Sequence, residues 1–99
     1  MEIAVYTGSF DPITVGHQNV IQRSARLVSR LIVGVGVNAQ KSALFSPEER
    51  CALIRDSIPE LANVEIITFQ GLAVDFVRSC GARVMIRGVR PLTDIDANL

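Results

Sequence analysis

The chain contains no tryptophan, one tyrosine, one histidine and one lysine, and its ten acidic and ten basic residues cancel. Charges of both signs are spread along its length, so no basic stripe offers itself to a nucleic acid or an anionic membrane surface. Neither partner is expected. The most apolar run, Leu31 to Val37, is far shorter than the ~20 residues that span a bilayer and reads as a strand. Two cysteines with apolar neighbours are too few for a disulfide framework, and the absence of a second histidine leaves no partner for a Cys/His zinc site. Cys51, beside Ala52 and Leu53, and Cys80, before Gly81, are therefore read as small core residues, and no protein-held metal is expected. The first strand begins within two residues of Met1, with no basic leader or cleavable apolar segment ahead of it, so a cytoplasmic location is expected.

What remains is a small apolar chain with regular alternation. Its 99 residues suit one domain, and 48% apolar content with few aromatics suits a sheet packed by Val, Ile, Leu and Ala. The patterning predicts strands near 2–7, 31–37, 63–69 and 83–87, and helices near 17–29, 47–58 and 71–80. Val20, Ile21, Leu27 and Val28 fall on one side of the first helix. Ser46-Pro47-Glu48-Glu49 predicts a capping box with proline at the first helical position. Gly71 and Gly81 punctuate the third helix. Repeated strand and helix units favour right-handed crossovers, which gives an α/β, Rossmann-like parallel sheet with helices on both faces.

The most informative stretch is Gly8-Ser9-Phe10-Asp11-Pro12-Ile13-Thr14-Val15-Gly16-His17, which joins the strand Ile3-Ala4-Val5-Tyr6 to the first helix. Glycines permit close backbone approach to a ligand, and the free N–H groups and dipole of a helix start favour an anion. The only histidine stands in that first turn. A plain strand-to-helix turn with a capping hydroxyl is the alternative reading of the same residues. Lys41 follows the second strand in a chain with nine arginines, which suggests a place where a compact point charge is wanted; a solvated loop lysine is the alternative. Arg87 and Arg90 frame Gly88 after the fourth strand. Open parallel sheets bind ligands beyond the carboxyl ends of their strands, and Ser9, Lys41, Ala73 and Arg87 all follow or end predicted strands at that edge.

Ser9-Phe10-Asp11-Pro12 with Thr14-Val15-Gly16-His17 resembles the (T/H)xGH signature of the nucleotidyltransferase superfamily. The threonine form, together with Ile86-Arg87-Gly88-Val89-Arg90, Lys41 and Phe45 to Arg50 at matching spacing, resembles the phosphopantetheine adenylyltransferases. The resemblance implies transfer of AMP from ATP to 4'-phosphopantetheine, giving dephospho-coenzyme A and pyrophosphate. It also implies roles by residue: His17 and Lys41 catalytic; Ser9, Lys41, Ala73 and Arg87 on the phosphopantetheine side; Ser9, Phe10, His17, Gly88, Val89, Arg90 and Asn98 on the ATP side. Mg²⁺ would be carried mainly by the ATP phosphates, since no carboxylate cluster is in view. Ser9 keeps the hydroxyl of the family's usual threonine. Ala73 stands where a larger apolar residue is common, and Asn98 where a glutamate is usual.

Thr93-Asp94-Ile95-Asp96-Ala97-Asn98-Leu99 has the capping and acidic residues of a helix start but stops within two turns. Family members continue further and carry a Ser-rich triphosphate motif absent here. The expectation is thus a single domain, 1–99, with its C-terminal part missing, and without normal activity on its own. Coenzyme A or dephospho-coenzyme A as product-side ligand, and a hexameric homo-oligomer, follow from the resemblance alone. Two other readings remain open at this point: a nicotinate-mononucleotide or cytidylyl nucleotidyltransferase, and a non-catalytic ligand-binding fragment.

Overall fold

The computed structural model describes residues 2–37 and 43–86. Four strands, β1 (Ile3–Gly8), β2 (Arg30–Gly36), β3 (Val64–Phe69) and β4 (Val84–Ile86), alternate with three helices, α1 (Val15–Ala25), α2 (Pro47–Ser57) and α3 (Ala73–Ser79). All pairings are parallel, and the spatial order is β3-β2-β1-β4. The expected α/β architecture is therefore present, with helices on both faces.

Side-chain alternation divides the core in two. Ala4, Tyr6, Leu31, Val33 and Val35 pack with Ile21 and Ala25 of α1 and Ile54 of α2. Val5 and Ile32 point the other way, toward Val77 and Phe76 of α3. Because β1 and β2 lie inside the sheet and are covered on both faces, their sequences are nearly continuous apolar runs. The outer strands β3 and β4 are only half-buried.

The ends of the helices differ from expectation where side chains intervene. Thr14 caps α1, so the helix starts at Val15 rather than at His17. It stops at Ala25 because the Asn63 amide donates to the Ala25 and Val28 carbonyls, at 2.8 and 3.2 Å, where further turns would have continued. Leu27 consequently lies outside the helix and is 83% exposed, contrary to its assignment to the apolar face. The Ser46–Glu49 capping box forms as the sequence implies, with Ser46 N–H donating to Glu49 Oε1 at 2.8 Å and Glu49 N–H to Ser46 Oγ at 3.1 Å. α3 is shorter than expected because Gly71 takes φ +87° ahead of it and Gly81, at φ +71°, ends it. Gly81 and Ala82 N–H groups donate back to Arg78 and Val77, the two bonds of a Schellman ending. Cys51 and Cys80 are half-buried against the two cores, and burial pushes the Cys51 thiol up, away from reactivity.

α3 sits close to the sheet because of Gly34. The Phe69 and Phe76 rings stack with centroids 4.4 Å apart and planes 11° from parallel, and they lie directly over that residue. A Cβ there would come within 2.5 Å of Phe76 Cε2. Gly34→Ala is expected to displace the stack and to cost about 1–3 kcal/mol, the usual range for overpacking, read as a lower urea midpoint at unchanged slope.

Candidate functional site

The strand-to-helix turn after β1 is held from beneath by aromatic packing. Phe10 adopts φ +47°, a left-handed conformation uncommon outside glycine, and the residue is 1% exposed. It meets Tyr6 edge-on at 5.3 Å and His17 at 4.9 Å. A Cβ on Gly8 would lie 3.1 Å from the same ring, so glycine leaves the room that lets the turn fold back. Phe10, expected as an ATP contact, is a core residue in this structure.

His17 is the third residue of α1 and completes a capping box with Thr14. His17 N–H donates to Thr14 Oγ1 at 3.2 Å, and Thr14 N–H donates to His17 Nδ1 at 3.0 Å. A backbone N–H can only donate, so Nδ1 carries the lone pair and the neutral ring places its proton on Nε2. Burial lowers the imidazole pKa below 6.5, which favours that neutral form. The capping hydroxyl of Thr14 and the ring of His17 are thus parts of one capping device. Nδ1 serves the helix and Nε2 remains as a donor.

Ser9 and Ala73 line one cavity of about 220 Å³ with Thr7, Gly8, Gly36, Phe69 and Gly71, at the carboxyl ends of β1, β2 and β3. His17 does not line it, although it shares the Phe10 turn with Ser9. Lys41, Arg87, Gly88, Val89, Arg90 and Asn98 lie outside the described residues. Among the described residues no group of three or more His, Cys, Asp or Glu side chains could hold a metal ion. None of the described helices is long and apolar enough to cross a membrane.

Two residues that the sequence reading passed over tie the site together. Both carboxylate oxygens of Asp11 accept backbone N–H groups, from Leu44 at 2.6 Å and Phe45 at 2.8 Å, which binds the β1 turn to the segment entering α2. Arg50 is 5% exposed and donates from Nη1 to the carbonyls of Ser9, at 3.1 Å, and Gly36, at 3.4 Å, and from Nε to that of Ser46, at 3.4 Å. The signal for Arg50 was available: it stands one helical repeat before the buried Ile54, in a stripe where a charge is out of place unless it has partners. Nothing in the letters identifies Asp11 as a double acceptor, because its partners are main-chain groups more than thirty positions away.

The cytidylyltransferase-like family profile matches residues 5–99. A phosphopantetheine adenylyltransferase from Rhodopirellula baltica is 60% identical over 93 residues, which are 94% of this chain and 52% of that protein. One from Lachnoclostridium phytofermentans is 44% identical over 99 residues, all of this chain and 61% of the relative. The chain therefore spans between half and two thirds of the length of these curated relatives. Among solved structures, the lipopolysaccharide core biosynthesis protein from Thermoplasma volcanium superposes with a TM-score of 0.65 at 25% identity, covering 86% of this chain and 72% of that one.

The capping box makes His17 protonation and helix stability depend on one another. Because the folded pKa lies below the unfolded value, the unfolded chain binds more protons as pH falls through the window between them. The contribution of the neutral ring is present above about pH 6.5 and lost as pH falls through the folded pKa. NMR titration is expected to give a His17 midpoint below 6.5 with an Nε2–H tautomer at neutral pH. Thr14→Ala should cost about 1 kcal/mol in urea unfolding, the typical value of an N-cap.

Proposed function

The chain belongs to the cytidylyltransferase-like family, and from that premise we propose that it forms the nucleotide- and acceptor-binding part of a phosphopantetheine adenylyltransferase. The observation that carries this reading is the Thr14–His17 box, which engages Nδ1 and leaves a neutral Nε2–H donor in the first turn of α1. Curated relatives at 60% and 44% identity bear that name and support the choice of substrates, ATP and 4'-phosphopantetheine.

In this reaction an oxygen of the acceptor phosphate attacks the α-phosphorus of ATP. The bond from that phosphorus to the β-bridging oxygen breaks, pyrophosphate leaves with the electron pair, and a new phosphoanhydride forms. The attacking phosphate, with a second pKa of about 6, is already ionised, so no protein base is needed. His17 suits this demand: its Nδ1 lone pair is engaged by the helix cap, and its Nε2 proton can be donated to charge growing on the α-phosphate oxygens. Orientation of two mutually repelling polyanions supplies the remainder of the catalysis.

The cavity beneath Ser9, Gly36, Phe69 and Ala73 offers a mixed polar and apolar wall suited to the acceptor arm, while Ser9 stands between that cavity and the His17 side of the turn. Lys41 and Arg87 are assigned to the acceptor phosphate, and Gly88, Val89, Arg90 and Asn98 to ATP. Bound Mg²⁺ would neutralise phosphate charge. The donor set fits a metal that arrives on ATP: Asp11, the carboxylate in the turn, already has both oxygens occupied by backbone N–H groups. Location in the cytoplasm and assembly into a hexamer belong to the same proposal, as does a single nucleotidyltransferase domain over 1–99.

The intact gene product, given ATP and 4'-phosphopantetheine, is expected to release pyrophosphate and form dephospho-coenzyme A, followed by chromatography. Formation of product only with nicotinate mononucleotide or with CTP would overturn the assignment. His17→Ala should lower kcat by about 10²- to 10³-fold with little change in ATP affinity, the pattern of a donor acting in the transition state. A raised ATP dissociation constant at unchanged kcat would instead make His17 a ground-state contact. By calorimetry, Lys41→Ala and Arg87→Ala should weaken 4'-phosphopantetheine more than ATP, and equal losses would remove their assignment to the acceptor.

A further inference from the structure

The strands β1 and β2 separate at the edge of the sheet where the candidate site lies. Their ladder ends with the pair Gly8 and Val35, so Ser9 and Gly36 are the first residues beyond it. On its other side β2 stays tied to β3, where Val37 N–H donates to the Phe69 carbonyl at 2.8 Å. Between Ser9 and Gly36 the next rung is supplied by a side chain of α2. Arg50 Nη1 donates to the Ser9 carbonyl at 3.1 Å and to the Gly36 carbonyl at 3.4 Å, while its Nε donates to the carbonyl of Ser46, the cap of α2, at 3.4 Å. One nitrogen bonded to two carbonyl oxygens limits how far apart those oxygens can stand.

Ser9 and Gly36 both line the cavity of about 220 Å³ that Phe69, Gly71 and Ala73 complete, whereas Arg50, 5% exposed, is not part of its wall. The guanidinium holds two of the lining residues without lining the cavity itself. Packing alone does not account for the choice of side chain. Arg50 stands one helical turn before the buried Ile54, where an apolar residue would extend the core with no polar group to desolvate. The single ion pair among the described residues joins Arg30 and Glu65, so no described carboxylate offsets the burial of Arg50. What its hydrogen bonds do is fix three segments of main chain relative to one another.

We propose that Arg50 is a positioning residue for the acceptor: by joining the Ser9 and Gly36 carbonyls where β1 and β2 diverge, it sets the width of the cavity that takes the pantetheine arm. The proposal rests on the adenylyltransferase reading above for the identity of that arm. Nucleotide binding depends on Arg50 far less, since the Thr14–His17 box takes none of its hydrogen bonds. Lysine is no substitute. Its stem is one bond shorter, and it lacks the second nitrogen with which Arg50 grips Ser46 while Nη1 bridges the two cavity residues.

The test compares the intact gene product as wild type, Arg50→Lys, Arg50→Gln and Asn63→Ala. Asn63→Ala removes the amide that ends α1, and Asn63 precedes β3 at the opposite edge of the sheet, so this variant loosens the fold without touching the cavity. In both Arg50 variants the KM for 4'-phosphopantetheine should rise about tenfold, the effect of losing a hydrogen bond to a charged group, with kcat and the KM for ATP within about twofold of wild type. Asn63→Ala should lower the urea midpoint and leave both KM values unchanged. In the isotope-labelled wild type, 4'-phosphopantetheine should shift the Gly36 amide and the Arg50 Nε–H together, and inorganic phosphate should shift neither. Arg50→Lys decides the kinetic arm where Arg50→Gln does not fold.

A KM for 4'-phosphopantetheine in Arg50→Lys within about twofold of wild type would overturn the proposal. So would a parallel rise in both KM values, or a rise in Asn63→Ala equal to that in the Arg50 variants, each the mark of general loosening. A wild type in which 4'-phosphopantetheine shifts Gly36 but leaves Arg50 unmoved would also sink it, with the adenylyltransferase reading intact. A wild type that forms no dephospho-coenzyme A would overturn that reading, and this proposal with it.

Discussion

Two parallel strands cannot be joined by a tight turn, so each of the three connections here crosses the sheet through a helix, and right-handedness decides which face that helix takes. The chain steps from β1 to β2 to β3 in one direction, with α1 and α2 packed on one face. It then returns past β2 and β1 to place β4, and the reversed direction sends α3 to the opposite face. The turns leaving β1 and β3 therefore diverge to different faces of the same edge. Between them lies the space that Ser9, Gly36, Phe69 and Ala73 line. The position of the site is thus a property of connectivity before it is a property of any side chain.

The same reasoning separates what could be read in the letters from what could not. The alternation of strands and helices and the Ser46–Glu49 box depend on residues near one another in sequence, and both appear as expected. The His17 cap is equally local, yet it escapes a template that looks for glutamate or glutamine at the third helical position; a histidine Nδ1 fills that role here. Leu27 misled because periodicity does not register that the Asn63 amide, far along the chain, ends α1 two residues earlier. Arg50 and Asp11 were passed over for a related reason. Their partners are backbone groups of other segments, and every residue offers a carbonyl, so the spelling of those partners carries no trace of the contact.

Electrostatically, the turn combines two groups whose charge states are held by different means. The Arg50 guanidinium is buried, and carbonyl dipoles replace the water it has lost. His17 is kept neutral by burial and by the Thr14 N–H directed at its remaining lone pair. Protonating Nδ1 would set two donors against each other and weaken the start of α1. The ring is therefore disposed to give a hydrogen bond at Nε2 and to resist taking a proton at Nδ1, which separates positioning of an anion from general-base chemistry.

Among the described residues, β4 pairs with β1 at Ala4 with Val84, Val5 with Met85 and Tyr6 with Ile86. Those pairs close the longest loop among the described strands, and the entropy of closing a loop grows with its length. The β1–β2 and β2–β3 ladders join neighbouring segments and so close shorter loops. The described residues of β4 are half-buried, whereas β1 and β2 carry the fully buried residues at the centre. β4 is thereby held at the outer seam of the sheet, while the Thr14–His17 turn leaves a strand that is paired on both sides.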